Sequence, residues 1–355
     1  MTAELTLLIL ILPLAFVHVG IWGVVLVNLA YIRRQPSASA DSCPSLSVCI
    51  PARNEADNLR RLLPTLKDQE YPDLEILVWD DGSEDDTWEV LMAAQDSRLT
   101  ALQGADPPPG WVGKVHALHQ CTRQATGECY LFLDADAELR RPDALRQLVA
   151  RHVGSRTQVS SGFPRLQGSA LLLVSLVPHA LLSSLPWPLV PRTKLPALSA
   201  LNGQCWLVNR DVYHRHEPHA QVKDAVLEDV AIGRYLKRQG HPPTLLDVQD
   251  LVAVHMYEGF VEAWRGFRKN AYLLLGGTAL LVASEQLGVE LLTVAGGILV
   301  TLGVVVFTAN MLLVIHRHRT VNMSPTPSDQ TANSYSFSRS RARWRRICSR
   351  YISIC

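Results

Sequence analysis

The sequence predicts an α/β fold with a mainly parallel sheet and helices on both of its faces. Between residues 45 and 150, short and nearly continuous apolar runs alternate with amphipathic segments of helical length. Strands that are apolar on both faces are typical of parallel sheets enclosed by helices. Long apolar stretches near both ends of the chain further predict transmembrane helices outside this domain.

The predicted elements follow one another in alternating order. LSVCIP is the first strand, and NEADNLRRLLPTL is a helix with Asn54 as its N-cap. LEILVWDDGS is the second strand, EDDTWEVLMAAQ and KVHALHQCTRQA are helices, and ECYLFLDADAEL is the third strand. Ligands of such sheets bind beyond the carboxyl ends of the strands. The sequence therefore places a site at Pro51, at the Asp80–Asp81 pair and at Asp134–Asp136.

Composition excludes several classes of protein. The 355 residues include 34 Lys and Arg against 33 Asp and Glu, so the basic surplus of a general nucleic-acid binder is missing. The seven cysteines form no CxxC pair, which favours free thiols in a reducing compartment.

The apolar stretches predict how the chain is divided. Residues 1–34 are expected to be an N-terminal transmembrane helix, because their apolar run can cross a core of about 30 Å and the basic pair Arg33–Arg34 follows it. The positive-inside rule then places the chain after Arg34 in the cytoplasm. Together with the apolar stretches near the other end of the chain, this predicts a multi-pass protein of the plasma membrane. Residues 35–44 are a linker and 45–270 the cytoplasmic domain.

The remaining apolar segments are interpreted by length and by interruptions. Residues 169–190 contain three prolines, which favours short helices at the membrane surface, with a buried core helix as the alternative. Residues 271–315 are flanked by basic residues on both outer sides and predict a membrane hairpin. Residues 316–355 are rich in Ser and Arg and predict a disordered basic tail.

The acids at the strand ends suggest metal and nucleotide chemistry. Asp134 and Asp136 offer oxygen ligands of the kind that Mg²⁺ or Mn²⁺ prefers, although such a pair also occurs in ordinary turns. A carboxylate of the Asp80–Asp81 pair can accept hydrogen bonds from a base or ribose. Lys114 begins a helix, where a positive charge favours phosphate. No P-loop sequence is present.

Glu228 and Asp229 also stand at a predicted helix start. An acid at this position is either a general base or a helix cap, and the local sequence leaves both interpretations open.

The motifs taken in order resemble a known family. PARNE (51–55), DDGS (80–83), GWVGK (110–114), DAD (134–136), NGQCWLVNR (202–210) and LED (227–229) are similar to those of the family 2 glycosyltransferases with a GT-A fold. More narrowly, they resemble the membrane-bound subgroup that glycosylates lipids, including carotenoid (chlorobactene-type), hopanoid and ceramide glucosyltransferases. The likeness covers roughly residues 45 to 275.

The resemblance implies a role for each matching position. It assigns nucleotide-sugar binding to Pro51, Arg53, Glu55, Asp80, Asp81, Lys114 and Asp134. It makes Asp136 the ligand of Mg²⁺ or Mn²⁺ and Asp229 the catalytic base, oriented by Glu228. The acceptor side is expected at Gly203, Gln204 and Trp264.

Two departures from the family pattern bear on the acceptor. The processive members carry Gln-x-x-Arg-Trp, whereas EGFVEAWRGFRKN has no such motif, which favours the transfer of one sugar. The lipid enzymes have a Gly-Gly-His turn where this chain reads RHEPHA, so only His219 remains as its counterpart.

The expected function is inverting transfer of one sugar, glucose by resemblance, from a UDP-sugar to a hydroxyl of a membrane lipid such as a carotenoid. Two alternatives stay open: a polyprenyl-phosphate or soluble acceptor, and a non-catalytic GT-A membrane scaffold. A channel or transporter is disfavoured, because the apolar stretches are few and lack buried charges.

Overall fold

The computed structural model describes residues 3–34, 43–104, 107–168, 182–225 and 227–257, together with positions 178 and 259. The helices in these ranges are α1 (Ala3–Arg33), α2 (Ala56–Lys67), α3 (Thr87–Ala93), α4 (Gly113–Gln124), α5 (Ala144–Gly154), α6 (Arg210–His216), α7 (Pro218–Gln221) and α8 (Glu228–Arg238). The strands are β1 (Leu46–Ala52), β2 (Leu74–Asp80), β3 (Leu99–Gln103), β4 (Cys129–Leu133), β5 (Ala137–Leu139), β6 (Val159–Gly162), β7 (Arg165–Gln167), β8 (Cys205–Asn209), β9 (Thr244–Leu246) and β10 (Val252–His255).

The large sheet has the strand order β3-β2-β1-β4-β8-β6-β9. Neighbours from β3 to β4 are parallel, and so are β6 and β9. Strand β8 runs antiparallel to both of its neighbours, β4 and β6. The predicted α/β class with a mainly parallel sheet is therefore confirmed, with one reversed strand that the sequence patterns did not indicate.

The central strands are buried on both faces, as their apolar sequences predicted. In β4, Leu131 and Leu133 belong to one core cluster, and Tyr130 and Phe132 belong to the cluster on the opposite face. All of these side chains are at most 1% exposed. This two-sided burial fixes the register of β4 and so the point where its carboxyl end meets solvent.

The prediction of one strand over ECYLFLDADAEL is wrong. Strand β4 ends at Leu133, and β5 joins a second sheet of order β5-β10-β7. The intervening bend is held by two backbone bonds: Asp134 N–H donates to the Gln204 carbonyl at 3.3 Å, and Ala137 N–H donates to the Asp134 carbonyl at 3.1 Å. The DAD motif thus lies between two sheets.

Asn54 is not the N-cap of the first helix of the domain. Helix α2 begins at Ala56 with Glu55 at the cap position, and Asn54 has a positive φ of 55°. Its N–H donates to Ser83 Oγ at 2.9 Å, and its Oδ1 accepts from the Glu84 N–H at 2.7 Å. Asn54 therefore ties the loop after β1 to the loop after β2, both of which border the predicted site.

Helix α1 forms where an apolar helix was expected. Among the described residues, however, none of the helices combines the length and apolar character that crossing a bilayer demands. The predicted transmembrane helix at residues 1–34 is therefore not confirmed.

Other predicted segments lie partly or wholly outside the described residues. In the 169–190 segment, residues 182–184 are helical and Trp187–Leu189 is a 3₁₀ helix. Contact of this segment with a membrane stays a prediction. Most of the 35–44 linker, the 271–315 hairpin, the 316–355 tail and Trp264 lie outside the described residues.

Candidate active site

The two acids that end β2 have different surroundings. Asp80 is fully buried, and its Oδ1 accepts from the Ser83 N–H at 3.0 Å and the Ser83 hydroxyl at 2.5 Å. Asp80 thereby holds the DDGS turn, in which Gly82 takes a left-handed φ of 68°. The turn positions Asp81, whose Oδ2 lies 3.6 Å from Arg53 Nη1.

The start of α4 packs directly against Asp81. A Cβ added at Gly113 would lie 2.5 Å from Asp81 Oδ2, which is closer than real Cβ atoms approach. Only a residue without a side chain lets the helix N-terminus come this close to the carboxylate. The resemblance did not single out Gly113, although its place in GWVGK, directly before Lys114, was the available signal.

We expect Gly113→Ala to weaken nucleotide binding about tenfold or more, because the added methyl pushes Asp81 out of its position. Isothermal titration calorimetry with UDP measures the change. Gly23→Ala is the control, since a Cβ at Gly23 meets no atom within 4 Å. Equal affinities of the Gly113→Ala and unaltered proteins would mean that Asp81 does not contact the nucleotide.

Lys114 lies between acids from two distant segments. Its Nζ is 2.7 Å from Asp134 Oδ1 and 3.4 Å from Glu228 Oε1. Burial alone would lower the pKa of Lys114, but the charges of Asp134 and Glu228 outweigh it and raise the pKa above the usual lysine value. Lys114 is therefore fully protonated, and it links the strand-end acid to the acid on α8.

Asp136 is a half-buried residue whose carboxyl group lies beside other acids. Its Oδ1 is buried and has no hydrogen-bond partner among the described residues. Burial, followed by the charges of Asp134 and Glu55, raises the pKa of Asp136 to about 8. A carboxyl in this state gains a favourable partner when a divalent cation binds, so the residue fits the predicted Mg²⁺ or Mn²⁺ site.

The protein groups alone do not build a complete metal cage. No cluster of three or more His, Cys, Asp or Glu side chains arranged to hold a metal is found in the described part of the chain. Mg²⁺ is commonly bound by one or two carboxylates together with substrate phosphates. The fit is therefore to a cation that arrives with a diphosphate.

Glu138 and His255 adjoin the DAD bend, and sequence reasoning missed both. The His255 N–H donates to the Asp136 carbonyl at 2.9 Å, and His255 Nε2 lies 2.7 Å from Glu138 Oε2. These residues become neighbours because β10 pairs with β5. Since that pairing joins segments more than a hundred residues apart, no local pattern could have indicated it.

Asp229 lies in the first turn of α8, beside the loop that precedes β8. Its Oδ2 accepts from the Gly203 N–H at 3.3 Å, and its Oδ1 accepts from the Val230 N–H at 2.8 Å. Burial, followed by the charge of Glu228, raises the pKa of Asp229 to about 6. Leu227 occupies the N-cap position of α8, so Asp229 is not the N-cap. The raised pKa of Asp229 lies nearer neutral pH than that of an ordinary aspartate, which suits the predicted role of a general base.

Gly203 and Gln204 adjoin these acids. A Cβ at Gly203 would lie 3.4 Å from Asp229 Cβ and 3.5 Å from Lys114 Nζ. Gln204 contributes its carbonyl to the bend at Asp134. Asn202 was not predicted to matter, yet its Nδ2 donates to the Gly162 carbonyl at 2.9 Å and holds this loop against β6.

His219 does not line a pocket in this arrangement. It is fully buried against Phe132 and Trp206, and Tyr213 Oη lies 2.7 Å from its Nδ1. Burial lowers the pKa of His219 to about 3, so it is neutral. His219 therefore has no exposed surface through which to contact an acceptor, and its correspondence to the family histidine stays a prediction.

Pro51 and Glu55, the remaining predicted residues that the structure describes, lie at the carboxyl end of β1. Pro51 lies in β1 opposite Trp79, and the charge of Glu55 acts on Asp136. The structure thus brings together, at the carboxyl ends of β1, β2 and β4, the residues Arg53, Glu55, Asp80, Asp81, Lys114, Asp134, Asp136, Gly203, Gln204, Glu228 and Asp229. Trp264 lies outside the described residues.

Comparisons with known proteins show which family the chain resembles. Residues 47–216 match the sequence model described as Glycosyl transferase family 2. The 4,4'-diaponeurosporenoate glycosyltransferase of Staphylococcus aureus is 28% identical over 251 residues, or 66% of this chain. The chain spans 62% of the length of this curated relative.

A solved structure is similar in fold. The mannosyltransferase PcManGT from Pyrobaculum calidifontis, in complex with GDP-Man and Mn²⁺, aligns with a TM-score of 0.53 and 21% identity. The alignment covers 75% of this chain and 74% of that protein. At this identity the likeness concerns the fold.

Proposed function

Because residues 47–216 form a family 2 glycosyltransferase domain, we propose that the chain moves one sugar from a UDP-sugar to an oxygen of an apolar acceptor, inverting the anomeric configuration. The observation that carries the proposal is the position of Asp229. This carboxyl has a raised pKa and directly follows Glu228, which pairs with Lys114, while Lys114 also pairs with Asp134, the first acid of the DAD motif. The carotenoid acceptor of the S. aureus relative supports an apolar acceptor, and glucose is the sugar that the subgroup resemblance favours.

The donor half of the site is assigned to the strand ends. Asp81 accepts a hydrogen bond from the base or ribose, and Arg53 and the DDGS turn hold Asp81 in place. Asp136 would hold Mg²⁺ or Mn²⁺ together with the donor diphosphate. This is supported by its buried Oδ1, which has no hydrogen-bond partner within the described ranges. When bound, this cation stabilises the charge that develops on the departing diphosphate.

The acceptor half needs a single base. Asp229 accepts the proton of the acceptor hydroxyl while the oxygen attacks the anomeric carbon from the face opposite to the diphosphate. The carbon–oxygen bond to the diphosphate breaks as the new bond forms, so the configuration inverts. The Gly203 N–H fixes the orientation of the base through its bond to Asp229 Oδ2.

We expect kcat/KM for transfer to an alcohol to rise about tenfold per pH unit below pH 6 and to level off above it, because only the ionised form of Asp229 accepts a proton. A pH–rate profile at saturating metal measures this. Glu228→Gln removes a like charge, so the acidic limb of its profile should move to lower pH. An acidic limb that stays in place would show that another group limits the rate.

A carboxylate acceptor is a second candidate. The name of the S. aureus relative denotes a carboxylate, which is ionised at neutral pH and needs no base. With such an acceptor, the rate would show no acidic limb near pH 6.

Transfer itself is tested with membranes that contain the protein, radiolabelled UDP-glucose, Mn²⁺ or Mg²⁺ and a total lipid extract. The expected result is a labelled product in the organic phase that is absent with Asp229→Asn. UDP release without an organic-phase product would refute the apolar acceptor and favour a soluble one. A protein that neither transfers nor hydrolyses any UDP-sugar but binds UDP would be the non-catalytic scaffold.

The proposed location is the cytoplasmic side of the plasma membrane. Support comes from the sequence, in which the apolar segment of α1 is followed directly by Arg33 and Arg34. Accessibility of an introduced cysteine near Glu84 to a membrane-impermeant reagent, in intact and in opened cells, tests this location. Labelling in intact cells would place the domain outside.

A further inference from the structure

Helix α1 contacts the domain through the buried amide of Asn28 and through Tyr31 and Ile32, which pack against an apolar cluster of the domain. Asn28 is 1% exposed, and its Nδ2 donates to the carbonyls of Leu182 at 2.7 Å and Leu185 at 2.8 Å. Its Oδ1 accepts from the Trp187 N–H at 2.8 Å. Both hydrogens of the amide and its oxygen are thus used on one short segment that lies more than 150 residues away in sequence.

These bonds set a register that apolar packing alone would not set. Apolar side chains slide past one another at little cost, whereas an amide buried without its partners is strongly unfavourable. The contact therefore has one preferred position along α1. Asn28 is the residue that defines this position.

The segment held by Asn28 continues to the proposed base. Trp187 belongs to an apolar cluster with Ala200, and Val230 packs against this cluster directly after Asp229. Ser199 Oγ donates to the Gly233 carbonyl of α8 at 2.9 Å. Three residues after Ala200, the Gly203 N–H donates a hydrogen bond to Asp229 Oδ2.

The same segment presents apolar side chains to the outside. Leu189 is 42% exposed and Leu195 is 61% exposed, although both lie between Trp187 and Ala200, which are buried in the cluster. The segment that connects Asn28 to the loop at Asp229 therefore carries two apolar side chains that the described part of the domain does not cover. A hydrocarbon chain whose oxygen reaches Asp229 would lie beside it.

We propose that Asn28 is a positioning residue for the acceptor: it fixes residues 182–201 against α1, and this segment forms the wall along which the hydrocarbon part of the acceptor lies. The inference rests on the proposed function and adds to it a role for α1. The N-terminal helix is a part of the acceptor site, in addition to any role as an anchor.

The test compares two acceptors that carry the same alcohol group, a long-chain alkyl alcohol and a short water-soluble one, with full-length protein. For Asn28→Ala we expect the KM of the long alcohol to rise about tenfold, while kcat and the KM values of UDP-glucose and the short alcohol stay unchanged. Asn28→Gln keeps both amide groups on a longer stem and should recover part of the loss.

A variant that only destabilises the fold should give a different kinetic result from one that disturbs acceptor binding. Asn209→Ala is the matched control, because its Oδ1 pairs with His152 Nε2 at 2.8 Å at the opposite end of β8 from Gly203. It should lower stability and leave the ratio of the two KM values unchanged. If Asn28→Ala changes both alcohols equally or neither, the proposal is overturned.

A second readout does not depend on transfer. Arg192 and Lys194 are exposed in the held segment, so the rate of trypsin cleavage there reports how firmly the segment is fixed. We expect faster cleavage in Asn28→Ala, and an unchanged rate would refute the attachment. If the unaltered protein transfers sugar to neither alcohol, the proposed function and the acceptor role both fail, while trypsin still decides whether Asn28 fixes the segment.

Discussion

Asp229→Asn should reduce sugar transfer to an alcohol about 10²- to 10⁴-fold, which is the usual range for a missing general base. The amide has the same shape as the carboxylate, but its single oxygen can accept only one of the two bonds that the Gly203 and Val230 N–H groups donate to Asp229. We therefore expect a small loss of stability and an unchanged UDP affinity, because the substitution leaves the residues at the ends of β1 and β2 in place. Initial rates with radiolabelled donor, together with calorimetric titration of UDP, measure both quantities.

Glu228→Gln is the neighbouring control for Asp229→Asn. Its side chain lies 3.4 Å from Lys114 and supports the base without receiving the proton. We expect a loss of less than about tenfold, because transfer then lacks only a nearby charge. If the two variants were equally inactive, the assignment of the proton to Asp229 would be wrong.

Asp136→Asn should produce opposite changes in stability and activity. Burial and two neighbouring acids disfavour the ionised form of Asp136, so a neutral isostere removes an unfavourable charge from the metal-free protein. We expect an equal or higher Tm without metal. Transfer should fall about 10²-fold or more, since a bound cation contributes several kcal/mol to such reactions.

Thermal unfolding with and without Mn²⁺ and UDP measures the first of these changes. The unaltered protein should gain Tm when both ligands are present, and Asp136→Asn should not. Asp143→Asn is a suitable control, because this acid pairs with Arg141 on the surface, away from the strand ends. A metal-dependent rise in Tm that persists in Asp136→Asn would remove Asp136 from the metal site.

The sign of the pH effect follows from the raised pKa. An acid whose pKa is about 8 in the folded protein and near 4 in the unfolded chain destabilises the fold as the pH rises between these values. The metal-free protein should therefore lose stability from pH 4 towards pH 8 through this group. Asp136→Asn should flatten that part of the stability curve.

The local sequence predicted those strands and helices in which buried apolar residues recur at a regular spacing. Strands β1, β2 and β4 were recognisable because both faces are apolar, and α4 was placed within one residue of its observed start. The strand-end positions of Asp81 and Asp134 followed from the same patterns. These elements could be predicted because the spacing of their apolar residues alone shows which side chains are buried.

The errors and omissions concern contacts between distant segments. The division of the DAD segment between two sheets depends on β10 pairing with β5, and the surroundings of His219 depend on rings from β4 and β8. Asn54 resembled a helix cap because an Asx residue stands before a helical pattern, yet its partners lie in the loop after β2. Asn28, a polar residue within an apolar helix, gave a signal that the sequence alone did not connect to any partner.

The contacts of Lys114 have a consequence for the order of binding. Its ammonium is shared by Asp134 and Glu228, while Asp136 and Asp229 add two further carboxyl groups to the same site. The carboxyl groups outnumber the lysine, so a nucleotide diphosphate that arrives without a cation meets repulsion. A cation favours the ionised form of Asp136 and lowers this repulsion, and the diphosphate in turn supplies further oxygen ligands to the cation. Nucleotide and cation should therefore bind synergistically, each raising the affinity of the other by the same factor.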